Sequence, residues 1–394
     1  MIQIADRMKR LGTETAFEVL AKAKALEAQG KTIVHLEIGE PDFDTPANIK
    51  AAAKKAIDDG FTHYGPSAGL PQARATVAKY ISETRGIQVK PEHVVITPGA
   101  KPIMFFVIFA CVNEGDEVIY PNPGFPIYES VIEFVGAKAV PLPLREEKEF
   151  RIDINELKRL ITKKTKLLII NSPQNPTGGI LTREDIEQIA ALAKEHDFLV
   201  LADEVYDHIV YDGYTPYSIS SVPGMQERTI ILDGFSKTYA MTGWRLGFGV
   251  MNEEIAAWVT RMQTNSNSCT ASFTQIAGME ALTGPRGDVE KMVKEFKARR
   301  DRIVEGLNAI PGFRCLKPRG AFYVFPNITG TGKTSRELAD MMLYEAGVAC
   351  LSGTAFGKYG EGFLRFSYAN SIENINRALD SIAKTLKAKG IPAR

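Results

Sequence analysis

The sequence predicts an α/β protein, a large unit with a mostly parallel sheet between helices plus a smaller α+β unit, and three observations carry that reading. From 94 to about 262, short apolar β-type runs alternate with helical segments, the pattern of strands joined by crossover helices. Beyond about 286 the alternation stops and a long charged helix begins. At 394 residues the chain can bury two cores rather than one. The large unit is expected over 46–285, and the smaller one is expected from both ends of the chain together, 1–45 and 286–394.

Residues 16–29 have the apolar spacing of an amphipathic helix stopped by Gly30, and Ile33-Val34-His35-Leu36 suggests a short strand. The loop Gly39-Glu40-Pro41-Asp42-Phe43-Asp44-Thr45-Pro46 follows. Its carboxylates lack the downstream ligands of a metal loop. Tyr64-Gly65-Pro66-Ser67-Ala68-Gly69 contains a literal Gly-x-Ser-x-Gly, but a hydrolase elbow needs a buried strand just before it, and 51–59 is helix-like. The β-type runs of the large unit lie at 94–96, 117–120, 166–170, 198–202, 229–232 and 246–250. Thr182-Arg183-Glu184-Asp185 has a capping-box pattern at the start of a helix reaching His196. In the smaller unit a helix over 288–309 ends near Pro311-Gly312, and short strands are expected at 321–325 and 362–368. Gly330-Thr331-Gly332-Lys333-Thr334 is no nucleotide P-loop, because Asn327 stands where that pattern needs a glycine.

Composition excludes several classes of partner. Lysine plus arginine number 48 against 47 acidic residues, a formal charge of +1, so no global attraction to nucleic acid or a membrane surface is expected. No apolar run approaches a membrane span, and Met1-Ile2-Gln3-Ile4-Ala5-Asp6-Arg7 lacks the order of a secretion signal, which makes the cytoplasm the expected location. Cys111, Cys269, Cys315 and Cys350 have neither zinc nor disulfide spacing and are expected as buried free thiols. His35, His63, His93, His196 and His208 show no ligand spacing either, so no metal is expected.

Open parallel sheets bind ligands beyond the carboxyl ends of their strands, and the reactive residue types follow these runs. In Ile230-Ile231-Leu232-Asp233-Gly234-Phe235-Ser236-Lys237 a buried strand delivers one lysine into a turn of small residues. Lost hydration lowers the pKa of such an amine, and the neutral form attacks carbonyls. Arg245, eight positions on, can grip a phosphate through its planar fork. Thr97-Pro98-Gly99-Ala100-Lys101 joins a strand to a helix, where small residues let amides approach a phosphate; a tight strand-to-helix turn reads the same way. Asp203 ends the apolar run 198–202 and must find a cation or donors, or else cap the next segment. Arg365, in a strand otherwise rich in aromatics, is not expected to be buried without an anion.

Ser236-Lys237-Thr238-Tyr239-Ala240-Met241-Thr242-Gly243-Trp244-Arg245-Leu246-Gly247 resembles the lysine signature of the class I/II aminotransferases, which are fold type I pyridoxal phosphate enzymes. The likeness extends from about Gly39 to Arg365 through several separate motifs. It implies that Lys237 carries the cofactor, that Asp203 faces its ring nitrogen, and that Tyr206 and Asn175 reach its phenolic oxygen. Phe125 would stack on the ring, with Gly99, Ala100, Lys101, Ser236 and Arg245 near the phosphate. Tyr64 would reach the phosphate bound by the neighbouring subunit, so that the site is complete only in a homodimer. Gly39, Asn175 and Arg365 would meet the substrate carboxylate, and Lys101, as in one subgroup of bacterial aspartate aminotransferases, the distal carboxylate. The implied reaction is a ping-pong transamination, best matched to aspartate with 2-oxoglutarate. Aromatic or alanine transamination and a carbon–sulfur β-lyase on the same fold are the alternatives. One departure stands out: many relatives carry a serine where this chain has Gly234, a phosphate contact that Ser236 and backbone amides would have to replace.

Overall fold

The computed structural model describes residues 2–390. After a short strand, β1 (Val34–His35), come seven strands: β2 (Val94–Thr97), β3 (Glu117–Asn122), β4 (Lys138–Pro143), β5 (Thr165–Asn171), β6 (Leu199–Asp203), β7 (Thr229–Gly234) and β8 (Gly247–Val250). They form one sheet in the order β2-β8-β7-β6-β5-β3-β4. From β7 to β4 every pairing is parallel, whereas β8 runs antiparallel to both neighbours. The β7–β8 connection has room for a single turn, Thr242–Trp244, and no crossover helix, so the chain must return antiparallel. That tight return carries Lys237 and Arg245.

Leu167 and Ile169 of β5 pack into one apolar cluster and Leu168 and Ile170 into another. Helices thus cover both faces, which is why the central strands read as unbroken apolar runs. Burying each such side chain contributes about 1.5–3 kcal/mol relative to leaving it in water. β4 was not legible, since Pro141 and Pro143 argue against a strand. Among the described residues it is an edge strand that pairs with β3 alone, where missing donors are tolerated. The helix Arg183–Glu195 has the expected capping box: the Thr182 hydroxyl accepts from the Asp185 amide at 3.2 Å, and the Asp185 carboxylate accepts from the Thr182 amide at 2.8 Å.

The remaining strands are β9 (Tyr323–Val324), β10 (Val348–Ala349), β11 (Leu351–Ser352) and β12 (Leu364–Ser367). β11, β12 and β9 make an antiparallel sheet, and β1 pairs in parallel with β10, tying the start of the chain to its last third. Helices Gly287–Asn308 and Ile372–Ala388 cover this region. They approach so closely that a Cβ on Gly306 would stand 2.3 Å from Leu379 Cδ1. Ile375, Leu379, Ile382 and Leu386 form the buried stripe of the last helix. All four cysteines are unpaired, but only Cys315 and Cys350 are buried. Cys111 and Cys269 are half-buried, because they end or follow surface helices rather than lie on the sheet. Among the described residues no helix is long and apolar enough to cross a membrane.

Candidate active site

A cavity of about 560 Å³ opens at the carboxyl ends of β5, β6 and β7, bounded on its other side by residues of β9, β11 and β12. It brings together Gly39, Ala100, Lys101, Phe125, Asn175, Asp203, Tyr206, Ser236, Lys237, Arg245 and Arg365. Lys237 lies on the cavity wall with its amine deep in protein. Burial lowers its pKa to about 8 despite the opposing influence of Glu40, and its Nζ donates to the Gly39 carbonyl at 2.5 Å. A neutral amine is therefore accessible near physiological pH.

Asp203 ends β6 with no cation bonded to it. Its Oδ2 accepts from the Tyr128 hydroxyl and its Oδ1 from the Val205 amide at 3.4 Å. Burial raises its pKa to about 6, as expected for an acid that lacks a counter-charge. Asn171 braces this floor. Its amide nitrogen donates to the Asp203 carbonyl at 3.0 Å, and its oxygen accepts from the Asn175 backbone at 2.9 Å.

Gly99 adopts φ +88°, and a Cβ there would stand 2.3 Å from Arg245 Nη2. A Cβ on Gly247 would stand 2.3 Å from the Ala100 nitrogen. Two glycines thus let a guanidinium and the amides opening helix Lys101–Cys111 converge, which is the donor set a phosphate needs. Gly234 has a steric reason as well. A side chain there would press on the Gly247 Cα at 3.2 Å and the Leu246 carbonyl at 3.3 Å, while Ser236 remains on the cavity wall.

Arg365 lies buried on β12, its guanidinium over the rings of Tyr323 and Phe356 at 4.6 and 5.0 Å. Nη1 donates to Asn175 Oδ1 at 3.2 Å, Nη2 donates to the Glu37 carbonyl, and Nε has no partner. Burial pulls its pKa down, since only neutral groups bond it. A buried cation with a spare donor is a binding group for a carboxylate. Tyr206 bonds Tyr323 hydroxyl to hydroxyl at 2.9 Å. Tyr323 is also why position 39 is glycine: a Cβ there would stand 2.1 Å from its hydroxyl oxygen.

At the mouth, Lys101 Nζ bonds the Glu14 carboxylate and sits 5.3 Å from the centre of the Phe125 ring. Tyr64 stands apart, 90% exposed and outside the cavity of its own chain. Sequence reasoning missed Tyr128, Tyr323, Asn171 and Glu14. Tyr128 follows Phe125 at helical spacing, which was a usable signal. Tyr323 is indistinguishable in sequence from a core aromatic.

An α/β fold with a low-pKa buried amine, a buried acid without a counter-charge and a set of phosphate-compatible donors at one strand-end crevice fits a cofactor-dependent group-transfer enzyme. Comparison with known proteins makes it particular. The family Aminotransferase class I and II matches residues 31–382. The chain is 45% identical to the aspartate aminotransferase of Pyrococcus abyssi, over 91% of this chain and 93% of that protein. It is 42% identical to aromatic-amino-acid aminotransferase 2 of Thermococcus litoralis, over 98% and 99%. The structure of Thermus thermophilus aspartate aminotransferase with maleate superposes with a TM-score of 0.94 at 36% identity, covering 98% of this chain and all of that one (100%). The chain belongs to the class I and II aminotransferases and is a pyridoxal phosphate-dependent enzyme.

Proposed function

We propose that this aminotransferase moves an amino group from aspartate to 2-oxoglutarate by a ping-pong mechanism, with Lys237 as its catalytic residue. The observation that carries the substrate reading is that Arg365 and Lys101 line the same cavity as Lys237, one cation for each end of a dicarboxylate. The likeness to relatives named aspartate aminotransferase supports it. Bound pyridoxal phosphate supplies an electron-withdrawing ring conjugated to the substrate nitrogen, which acidifies the Cα–H bond. Asp203 would hold a protonated ring nitrogen, Tyr206 and Asn175 the ring oxygen, and Phe125 one ring face. Gly99, Ala100 and Lys101 amides, Ser236 and Arg245 would hold the phosphate.

Arg365 forks onto the substrate α-carboxylate with its spare Nε and with donors now spent on neutral oxygens, and Asn175 and the Gly39 backbone complete that contact. With the cofactor bound, Lys237 Nζ would take the proton from the substrate Cα and release it to the cofactor's C4′ carbon, so that the nitrogen stays behind when the 2-oxo acid leaves. Burial makes this efficient by bringing the amine's pKa near the working pH. Glu40, bonded to the Thr242 hydroxyl, draws the Gly39 loop over the cavity and keeps water from the buried amine.

The reading includes a large unit of 46–285, a smaller unit of 1–45 with 286–394, and a cytoplasmic homodimer in which Tyr64 completes the neighbour's phosphate site. The exposure of Tyr64, the β1–β10 pairing and the four free thiols support these points. A second reading, aromatic transamination, is favoured by the hold of Glu14 on Lys101 and by the apolar wall of Phe17, Met104 and Phe125. The deciding experiment mixes holoenzyme with single amino acids and follows the cofactor's visible absorption band. Aspartate and glutamate should bleach it; failure of both ends the dicarboxylate reading.

A further inference from the structure

We propose that Glu14 is the substrate-selecting residue of this enzyme, its carboxylate holding Lys101 when an uncharged side chain enters and yielding Lys101 when an acidic one does. This rests on the substrate reading above. Glu14 occupies the N-cap position of helix Thr15–Ala28, where a short Ser, Thr, Asp or Asn side chain would bond the helix amides; the longer Glu14 makes no side-chain cap bond. Its carboxylate goes to Lys101 instead. Only 18% of the Glu14 side chain is exposed, against 42% for Lys101, so the pair is anchored from the protein side.

Two attachments fix Glu14 there. On one side the Gly12 amide donates to Ser130 Oγ at 2.9 Å and Arg10 Nη2 to the Phe134 carbonyl at 3.3 Å, both on helix Ile127–Phe134. On the other, Ala23 and Leu26 of its helix are buried against Ile33, Leu343 and Ala349. Phe17, one turn along, lines the same cavity as Phe125 and Met104.

Charge explains what the pair does. An uncharged aromatic side chain laid on this wall would strand a lone ammonium beside it, and Glu14 removes that cost by neutralising Lys101. A distal carboxylate meets the reverse situation. It has to draw Lys101 away or share the ammonium's three donors, and it feels repulsion from Glu14 as long as the two acids stay close. The charge of Glu14 also reaches inward, where it opposes deprotonation of Lys237 and Arg365.

Calorimetric titration of wild-type and Glu14→Gln holoenzyme with succinate and with 3-phenylpropanoate tests this directly, alongside kcat/KM for aspartate and phenylalanine. Glu14→Gln should bind succinate about tenfold more tightly and 3-phenylpropanoate about threefold more weakly, because one like charge is gone and Lys101 is left unpaired. The aspartate-to-phenylalanine ratio of kcat/KM should move the same way, and Glu14→Ala should repeat the direction. A wild type that binds both acids and a variant whose ratio stays within twofold overturn the role of Glu14 and leave the substrate reading intact. A wild type that binds neither acid overturns both.

Discussion

Asp203 and Glu204 are adjacent, and Asp233 lies just before Lys237, yet these four charged groups belong to two opposite kinds of buried environment. On the cavity side, Asp203, Lys237 and Arg365 bond a tyrosine hydroxyl, a backbone carbonyl and an amide oxygen, and among the described residues none of the three forms an ion pair. Behind them, Arg85 clamps Glu204 at 2.9 Å and Asp207 at 2.5 Å, with Asp233 at 3.9 Å. Burial works against the Arg85 charge, but the three carboxylates outweigh it and hold its pKa well above the ordinary value. Glu204 also accepts from Ser218 Oγ at 2.6 Å. Asp233, faced by other acids and farthest from the guanidinium, is pushed well up in pKa by its burial and accepts from the Gly234 amide at 2.6 Å. Charges closed on one another hold the strand ends together; charges bonded only to neutral groups await a ligand.

The contrast can be broken in three ways. Replacing Lys237 with Ala should lower transamination about 10⁴-fold, since nucleophile and acid–base group vanish together, while the unfolding midpoint of the cofactor-free protein stays nearly constant. An equally large drop in midpoint would put Lys237 on the structural side. Arg85→Met removes the one arginine or lysine that, among the described residues, pairs with the rear carboxylates, and should cost about 3–5 kcal/mol in urea denaturation. A loss under 1 kcal/mol would mean the cluster is not closed around Arg85.

Asp203→Asn separates the two environments by pH. The folded-state pKa of Asp203, about 6, lies above the ordinary 3.8, so the folded protein favours the protonated acid. The stabilising preference is complete below about pH 4 and is lost as pH rises through about 6, leaving the ionised carboxylate as a penalty above that. The cofactor-free Asn variant should therefore be about 1–3 kcal/mol more stable than the parent at pH 8 and equal to it below pH 4, while transamination falls. A less stable variant at pH 8 would show that Asp203 is already satisfied without a ring nitrogen.

Much of this was legible in sequence where it depended on near neighbours. The unbroken apolar runs mark strands covered on both faces, and the capping box at Thr182 is a local motif. The signature around Lys237 and Arg245 lies in one tight return. β4 was hidden because prolines at an edge look like a loop. The antiparallel β8 went unnoticed although the shortness of the Gly234–Gly247 connection implied it. Arg85, just before Gly86, reads as an ordinary helix-ending base, and nothing local marks Glu14 as the partner of Lys101.

By itself the sequence determined the order of the elements, the strand ends from which the reactive side chains project, and the family chemistry those residues can perform. Tertiary structure alone decided which buried charges are neutralised and which stand ready for cofactor and substrate. Periodicity and turn chemistry act over a few residues, whereas desolvation and pairing depend on groups that only the folded chain brings to within a few ångströms.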